Sequence, residues 1–319
     1  MTLTAQARRS LSVALANPGA YRDISRVLEL IDSTGPVLYV CSVTGTDGAG
    51  AGQHPDTPYD SLDYAVNQLT TAKHANNGTT IFILPGHTED VTAASDIEVD
   101  IAGVSIIGLG QGASRPTFTW SATGSTWLIS AASTYLCNIR CTCSVDEVVK
   151  LFSVTGANCT FDAVDYVETA TFQAIQFLLT TTGADDITIK NCEHYQLTQA
   201  ASAQLWICLV GNDRAKVIDN KFHLKLADQA TSAVITNITT LCSGVLIARN
   251  QINMTGYSAN LVSAILLLST TTGNVSDNRI GTDTAANTTI NVAAGCYSFW
   301  NLCTNVADTS GIVDPVVDT

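Results

Sequence analysis

Short apolar runs separated by polar turns recur at a nearly constant interval between residues 156 and 280. The segments TIKNC, VIDNK, LIARN and VSDNR each place an asparagine after a strand-like run, at Asn191, Asn220, Asn250 and Asn278, with steps of 29, 30 and 28 residues. A second marker ends the preceding apolar run and recurs at steps of 27, 28, 33 and 29, at Gly156, Gly183, Gly211, Gly244 and Gly273. Two markers with one period indicate a repeat that stacks coil upon coil.

Each period contains three strand-like pieces, for example 187–191, 194–197 and 204–210. Three strands per repeat are typical of a parallel β-helix and not of a propeller blade or a leucine-rich repeat. An asparagine at one corner suits this fold, because asparagine tolerates the left-handed backbone of a tight corner and stacked amides can bond along the axis. The pattern therefore predicts an all-β chain, a single-stranded parallel β-helix with about 28–30 residues per coil.

The segment before the regular coils contains a strand at 37–43, a glycine-rich loop at 45–52 and a helical pattern at about 61–72. Ser61 is a candidate N-cap, and an apolar stripe follows it at Leu62, Ala65, Val66 and Leu69. Terminal coils need a cover, since an open end exposes core and unpaired backbone. We therefore predict a capping helix here, at the start of a β-helix that spans residues 37–303.

The two ends of the chain differ from this body. Residues 1–36 carry one short apolar patch at Leu11 and Leu15, then a helix pattern with Asp23 as N-cap and Ile24, Val27, Leu28 and Ile31 on one face. Helices this short are not stable alone, so this arm must pack on the body, a sister subunit or another protein. Residues 304–319 form an acidic tail, either a flexible end or an arm ordered on a partner.

Charge excludes some partners. The net charge is −13 with no basic patch, which argues against a nucleic-acid-binding protein. The first thirty residues are mildly basic, which suits either docking on something acidic or a solvated helix end. No run of eighteen apolar residues is present, so no membrane span is expected, and the N-terminus lacks the apolar region of a secretory signal.

The ten cysteines form no CxxC pair, and a disulfide framework belongs to small secreted chains. We interpret the cysteines in strand-like runs as buried free thiols; these are Cys159, Cys192, Cys208 and Cys242. The five histidines are scattered, so no metal site and no cofactor is predicted. His87, after a Pro-Gly turn, is predicted to lie at the surface.

Asp165 and Glu193 are the best catalytic candidates. They are 28 residues apart, so they should stack about 5 Å from each other on neighbouring coils. Glycoside hydrolysis needs two carboxyl groups about 5–10 Å apart, and Asp162, Glu168 and His194 lie nearby. Acids, bases and aromatic residues are nevertheless too sparse for a convincing glycan-cleaving groove, and no G-x-S-x-G motif occurs. We predict that the chain is not an enzyme, with a glycoside hydrolase or lyase as the alternative.

The order of motifs in residues 37–120 resembles a known family. A glycine loop, an S-L-x-x-A helix, the run T-I-F-I-L-P-G-H-T-E and then V-S-I-I-G-L-G resemble the opening of the pectate-lyase-like β-helices of phage virion proteins. This resemblance implies a right-handed β-helix and a phage structural context. The arm A-L-A-N-P-G-A-Y-R-D-I-S-R-V-L-E-L-I-D-S-T-G-P resembles the particle-anchoring segment of such proteins.

The resemblance implies a trimeric capsid decoration, or cement, protein. It would be assembled in the bacterial cytoplasm and bind the major capsid protein at the virion surface, without cofactor, metal, nucleic acid or membrane. The shell contacts are expected in the arm, at Arg8, Arg9, Leu11, Leu15, Tyr21, Arg22, Ile24, Arg26 and Leu28. Two alternatives stay open: a tailspike or tail fibre that binds or cleaves host glycan, and a free, secreted polysaccharide-cleaving enzyme.

Overall fold

A computed structural model describes residues 35–229, 231–237, 240–254, 262–268, 270–282, 289–292 and 294–303. These residues contain many short strands and very little helix. The helices are α1 (Leu62–Asn67) and α2 (Thr71–His74), with a 3-10 turn at Gly112–Ser114.

The strands are numbered in chain order. They are β1 (Val37–Val40), β2 (Thr80–Ile83), β3 (Thr88–Val91), β4 (Ile97–Val99), β5 (Ser105–Gly108), β6 (Thr117–Trp120), β7 (Trp127–Ile129), β8 (Tyr135–Cys143), β9 (Phe152–Val154), β10 (Thr160–Val167), β11 (Leu178–Thr180), β12 (Thr188–Lys190), β13 (Glu193–Gln196), β14 (Leu205–Cys208), β15 (Lys216–Ile218), β16 (Lys221–Leu224), β17 (Ala233–Thr236), β18 (Val245–Ala248), β19 (Gln251–Met254), β20 (Ser263–Leu266), β21 (Gly273–Ser276), β22 (Arg279–Thr282), β23 (Ile290–Asn291), β24 (Cys296–Phe299) and β25 (Leu302–Cys303).

The strands stack into three parallel ladders, one on each side of the coil. The first ladder runs β1-β2-β5-β8-β10-β12-β15-β18-β21-β24, and the second runs β3-β6-β8-β10-β13-β16-β19-β22-β25. The third ladder runs β4-β7-β9-β11-β14-β17-β20-β23. Strands β8 and β10 bend through the corner and belong to both of the first two ladders. The molecule is a right-handed parallel β-helix, which confirms the predicted fold class.

Strand register confirms the predicted coil length. Along the first ladder, Thr160 pairs with Thr188, Thr188 with Lys216, Lys216 with Leu246, and Leu246 with Asn274, in steps of 28, 28, 30 and 28 residues. The three strand-like pieces predicted between residues 187 and 210 are β12, β13 and β14, each within a few residues of the expected bounds.

Inward-facing side chains stack along the axis into one continuous core. In the first ladder the inward row includes Leu136, Phe161, Ile189 and Val217, all fully buried. Large aromatic rings fill the middle of the solenoid, where Phe152 lies within 5.5 Å of four other rings, centroid to centroid. Burying rings of this size supplies much of the hydrophobic stabilisation of the coils.

Helix α1 covers the start of this core. Its N-cap is Ser61, whose hydroxyl accepts the Tyr64 N–H at 3.1 Å. The predicted apolar stripe, Leu62, Ala65, Val66 and Leu69, is buried in the core cluster, and the helix packs against β1 and β4. The apolar periodicity and the cap therefore place this short helix over strands of the first coil.

The corner between the first and second ladders differs from the sequence interpretation, in which one asparagine both adopts the left-handed backbone and stacks along the axis. Asn220, Asn250 and Asn278 form a buried ladder, in which each amide Nδ2 donates to the next Oδ1 at 2.9–3.0 Å, and Asn301 ends it. Asn191 is not in this ladder, because its backbone is left-handed (φ 56°) and its amide donates outward to Asp162. The left-handed residue precedes the stacked one, so the two roles assigned to one asparagine belong to neighbouring positions.

The glycine marker also shifts along the coil. Gly183 and Gly211 lie at equivalent positions, three residues before the left-handed corner residues Asp186 and Arg214. Gly244 itself occupies the Arg214 position one coil later, since the Arg214 N–H donates to Ser243 O. Gly273 pairs with Val245, one position further on, so the irregular steps of that marker reflect glycines at several different positions around the corner.

Candidate functional site

The outer face of the second ladder carries a shallow polar groove. Strands β13, β16 and β19 alternate inward and outward side chains, so every second residue faces solvent. Register places Glu193 beside Lys221, and Tyr195 beside His223. The next strand adds two amides to these rows, Gln251 and Asn253. The outward side chains of three coils thus line one groove of about 190 Å³.

Two aromatic rings form the centre of the groove. The Tyr195 and His223 ring centroids are 5.4 Å apart with an interplanar angle of 33°, and Tyr195 is 42% exposed. Glu193 and Lys221 flank them, with Oε2 and Nζ 4.0 Å apart and both side chains about two-thirds exposed. A pair this exposed adds little stability, so these charges are available to a ligand. Exposed aromatic rings beside hydrogen-bonding groups can bind a flat, hydroxyl-rich molecule.

The predicted catalytic carboxylates do lie on neighbouring coils. The Glu193 N–H donates to Asp165 Oδ1 at 2.9 Å. Asp165 is mostly buried and forms an ion pair with Arg115, which also donates to Ala163 O. Burial raises the pKa of the Asp165 carboxyl, and the Arg115 charge opposes that rise. Asp165 therefore links strands and an arginine, while only Glu193 faces the groove.

The neighbouring acids have structural bonds of their own. Asp162 is buried on the first ladder, where the Tyr135 hydroxyl and the Asn191 amide donate to it at 2.8 and 2.9 Å. Glu168 accepts the N–H groups of Leu197 and Thr198 through one carboxylate oxygen, at 2.6 and 3.2 Å. These bonds hold corners and loops of successive coils together.

His194 points into the core and not into the groove. Its Nδ1 accepts the Trp206 indole N–H at 2.7 Å, and its Nε2 lies 3.1 Å from Val164 O. Nδ1 accepts a hydrogen bond, so the ring hydrogen lies on Nε2 and donates to that carbonyl. Burial lowers the pKa of His194 to about 3. The imidazole is therefore neutral and serves as a core residue.

His87 is buried, which corrects its predicted surface position. Its Nδ1 accepts the Ser42 N–H at 3.0 Å, and Nε2 lies 3.0 Å from Glu89 Oε2. The Glu89 carboxylate also accepts the Leu62 and Asp63 N–H groups at the start of α1. The turn itself is exposed at Pro85, but the His87 side chain after it points inward, where Glu89 links it to the start of α1. Ser42, His87 and Glu89 are not a catalytic triad, because the imidazole bonds the serine backbone and not its hydroxyl.

Every residue expected to contact a shell lies outside the described residues, in positions 8–28.

Four cysteines were interpreted as buried free thiols, and the structure confirms that they are buried and form no disulfide; they are Cys159, Cys192, Cys208 and Cys242. Burial raises the pKa of the Cys208 thiol to about 11, so this thiol is protonated and unreactive at neutral pH.

Within residues 35–303, apart from the gaps noted above, no three His, Cys, Asp or Glu side chains are grouped as a metal site requires. In the same part of the chain, no helix is long and apolar enough to span a bilayer.

Comparison with known proteins adds a likeness of fold only. No protein family and no curated protein matches this chain. Among solved structures, a rhamnogalacturonan lyase superposes with a TM-score of 0.45 and 11% identity, over 88% of this chain and 84% of that one. A similarity this distant says nothing about activity. The class that the coordinates define is the right-handed parallel β-helix.

Proposed function

We propose that this protein is a structural component of a phage virion, namely a trimeric decoration protein that binds and stabilises the capsid shell through its N-terminal arm. The observation that carries the proposal is the structural use of the acids around the predicted catalytic pair. Asp165, Asp162 and Glu168 each bond other coils, which supports a self-supporting rod over a hydrolase. The resemblance of residues 37–120 to phage virion proteins supplies the context.

A rod of this kind can reinforce a shell because its coils are held by continuous ladders and a single core. Its acidic body would remain in solvent, since the net charge is −13 and repulsion limits nonspecific association. The mildly basic arm would meet acidic patches of the capsid protein. Three rods side by side would then bridge neighbouring capsid subunits.

Deletion of residues 1–36 tests this role. The truncated protein should keep the β-sheet circular dichroism of the parent but no longer co-sediment with empty shells. Deletion of residues 304–319 is the matched control, and this variant should still bind. If the truncated protein binds shells as well as the parent does, the arm is not the shell-binding segment. Trimers located at a tail tip by electron microscopy would contradict a capsid role.

Binding of a host surface glycan is a second candidate, and the Tyr195–His223 groove favours it. In that case Tyr195→Ala should weaken binding of the host polysaccharide about fivefold, because the contact of one aromatic ring is worth about 1 kcal/mol. Tyr297→Ala removes an aromatic ring that is 75% exposed on the first ladder, and it should leave binding unchanged. Equal effects of the two substitutions would exclude the groove as the glycan-binding site.

Cleavage of that glycan is a separate question. If the parent protein cleaves it, Glu193→Gln should abolish cleavage, because Glu193 is the candidate carboxylate that faces the groove. A parent protein that binds glycan without shortening it would be a receptor-binding rod and not an enzyme.

A further inference from the structure

A single Asn-Gly pair occurs in the sequence, at Asn77 and Gly78. It lies in the turn between α2 and β2, at the N-terminal end of the solenoid. Asn77 is exposed, and its Nδ2 donates to Lys73 O at 3.0 Å. Gly78 has a left-handed backbone with φ 64°, which a residue without a side chain adopts at no steric cost. The asparagine amide is thus open to solvent directly before a glycine.

The atoms of such a pair can react with each other. The backbone nitrogen of a residue can attack the side-chain carbonyl carbon of a preceding asparagine and close a succinimide ring. A side chain on the attacking residue crowds this ring, and glycine has none. The attacking nitrogen must also be free of an acceptor. Among the described residues, no acceptor binds the Gly78 N–H.

Asn76, the residue before the pair, is exposed but held in place. Its N–H donates to Ala102 O at 2.7 Å, on the next coil. A Cβ added to Gly103 would fall 2.8 Å from Asn76 Cα, so this coil lies directly against Asn76. The nitrogen that would attack the Asn76 amide belongs to Asn77, and it donates to His74 O at 3.4 Å. Exposure alone therefore does not make an asparagine in this turn reactive.

The related Asp47-Gly48 pair is protected by hydrogen bonds of its side chain. Asp47 Oδ1 accepts the N–H groups of Asp60 and Ser61 at 2.9 and 3.2 Å, and Oδ2 accepts the Ser61 hydroxyl at 2.8 Å. A carboxylate bound through both oxygens is not free to approach the next backbone nitrogen. The fold thus fixes one of the two susceptible pairs and leaves the other accessible.

We propose that Asn77-Gly78 is a self-modification site, at which the folded protein deamidates without an enzyme. The Gly78 nitrogen forms a bond to Asn77 Cγ, the Cγ–Nδ2 bond breaks, and ammonia leaves with the proton of the Gly78 N–H. Water then adds to one of the two ring carbonyls. Opening at the side-chain carbonyl gives aspartate, and opening at the main-chain carbonyl gives isoaspartate. Water is the only co-reactant, and no group is oxidised or reduced.

The products change the place where the chain enters the first coil, whatever the role of the rod. A carboxylate at this position cannot donate to Lys73 O. Isoaspartate also adds a carbon to the main chain just before Thr80, which pairs with Val37 in the first ladder. Gly35 packs against the same point, since an added Cβ there would fall 1.9 Å from Asn77 O. The longer main chain therefore pushes directly on Gly35.

Peptide mass spectrometry of the full-length protein, held at mildly alkaline pH for increasing times, tests the site. The peptide with Asn77 should gain the mass of an exchange of NH2 for OH and separate into an aspartate and an isoaspartate form. Fragment ions should place the change at Asn77 and not at Asn76. Asn67, exposed but followed by Gln68, should keep its mass. A stable Asn77, or aspartate without isoaspartate, would overturn the proposal.

Two further samples separate the effect of the fold from that of the sequence. Asn77→Gln keeps an exposed amide on a longer side chain, and this variant should not react. In guanidinium chloride the parent should react at a rate within about tenfold of its folded rate, because one exposed hydrogen bond slows the step by no more than that. A folded rate far below this range would show that the coil protects Asn77, and the proposal would be wrong.

Discussion

At the scale of single residues, the shape of each coil depends on corner residues with positive φ. Between the first and second ladders these residues include Asn138, Ala163, Asn191, Asp219 and Arg249, with φ of 53–58°. For a residue other than glycine or asparagine, this left-handed conformation is about 1–2 kcal/mol less stable than the right-handed one. The solenoid tolerates that cost because ladders on both sides fix the corner.

Ala163 makes this cost measurable. We expect Ala163→Gly to raise the free energy of unfolding by up to about 1 kcal/mol, since relief of the left-handed strain exceeds the added entropy of the unfolded chain. Ala163→Val should lower it, because a β-branched residue fits this conformation poorly. Urea denaturation of the three proteins provides the ranking. A glycine variant less stable than the valine variant would refute the explanation.

His194 gives the rod a predictable response to acid. Its pKa is about 3 in the folded chain and about 6.5 when unfolded, so the unfolded state takes up the proton first. The stabilising contribution is complete above pH 6.5 and falls by about 1.4 kcal/mol per pH unit down to about pH 3.

The measurement is the urea midpoint as a function of pH. His194→Gln cannot titrate, so its stability relative to the parent should improve steadily as the pH falls from 6.5 to 3. Parallel curves for parent and variant over this range would show that His194 is not the group responsible.

At the scale of elements, the asparagine ladder joins the last coils of the described chain. The Asn250 side chain forms four bonds: its Oδ1 accepts the N–H and the Nδ2 of Asn220, and its Nδ2 donates to Val217 O and Asn278 Oδ1. Each buried amide therefore satisfies the backbone of one coil and the side chain of the next. Such a network is stable only when every member is present.

Removal of one member should be costly. We expect Asn250→Ala to lower the free energy of unfolding by roughly 3 kcal/mol, because Asn220 and Asn278 lose partners inside a buried corner. Asn253→Ala changes a groove residue on the same strand and should cost less than about 0.5 kcal/mol. Thermal or chemical denaturation of both variants checks this difference. Similar losses would show that the ladder adds no specific stability.

The period of apolar residues was enough to predict these elements. It was not enough to assign positions that depend on the local backbone conformation. Strands, coil length and the capping helix follow from apolar spacing and a Ser61 cap. The left-handed and stacked positions next to each corner are both polar, so spacing alone assigned them to one residue. The groove also escaped prediction, although Tyr195 and His223 differ by one coil of 28 residues. His87 was misplaced because its partner, Glu89, becomes relevant only once the capping helix packs above it.

At the scale of the whole molecule, the rod is organised by position along its axis. The N-terminal coils carry the capping helix, the middle coils hold the aromatic core, and the C-terminal coils are joined by asparagines. Nearest-neighbour contacts dominate in such a stack. Specificity for a partner therefore depends on what each end and each outer row presents.

The hydrogen bonds of all three ladders run along the axis of the rod, so the resistance of the molecule to force depends on the direction of that force. A force that compresses the rod is carried by a packed core, whereas a force that pulls its two ends apart acts on one pair of strands at a time. Each regular coil contains 28–30 residues, so its release should lengthen the chain by roughly 90 Å. Single-molecule pulling should therefore show a series of nearly equal extensions, one for each coil that is released.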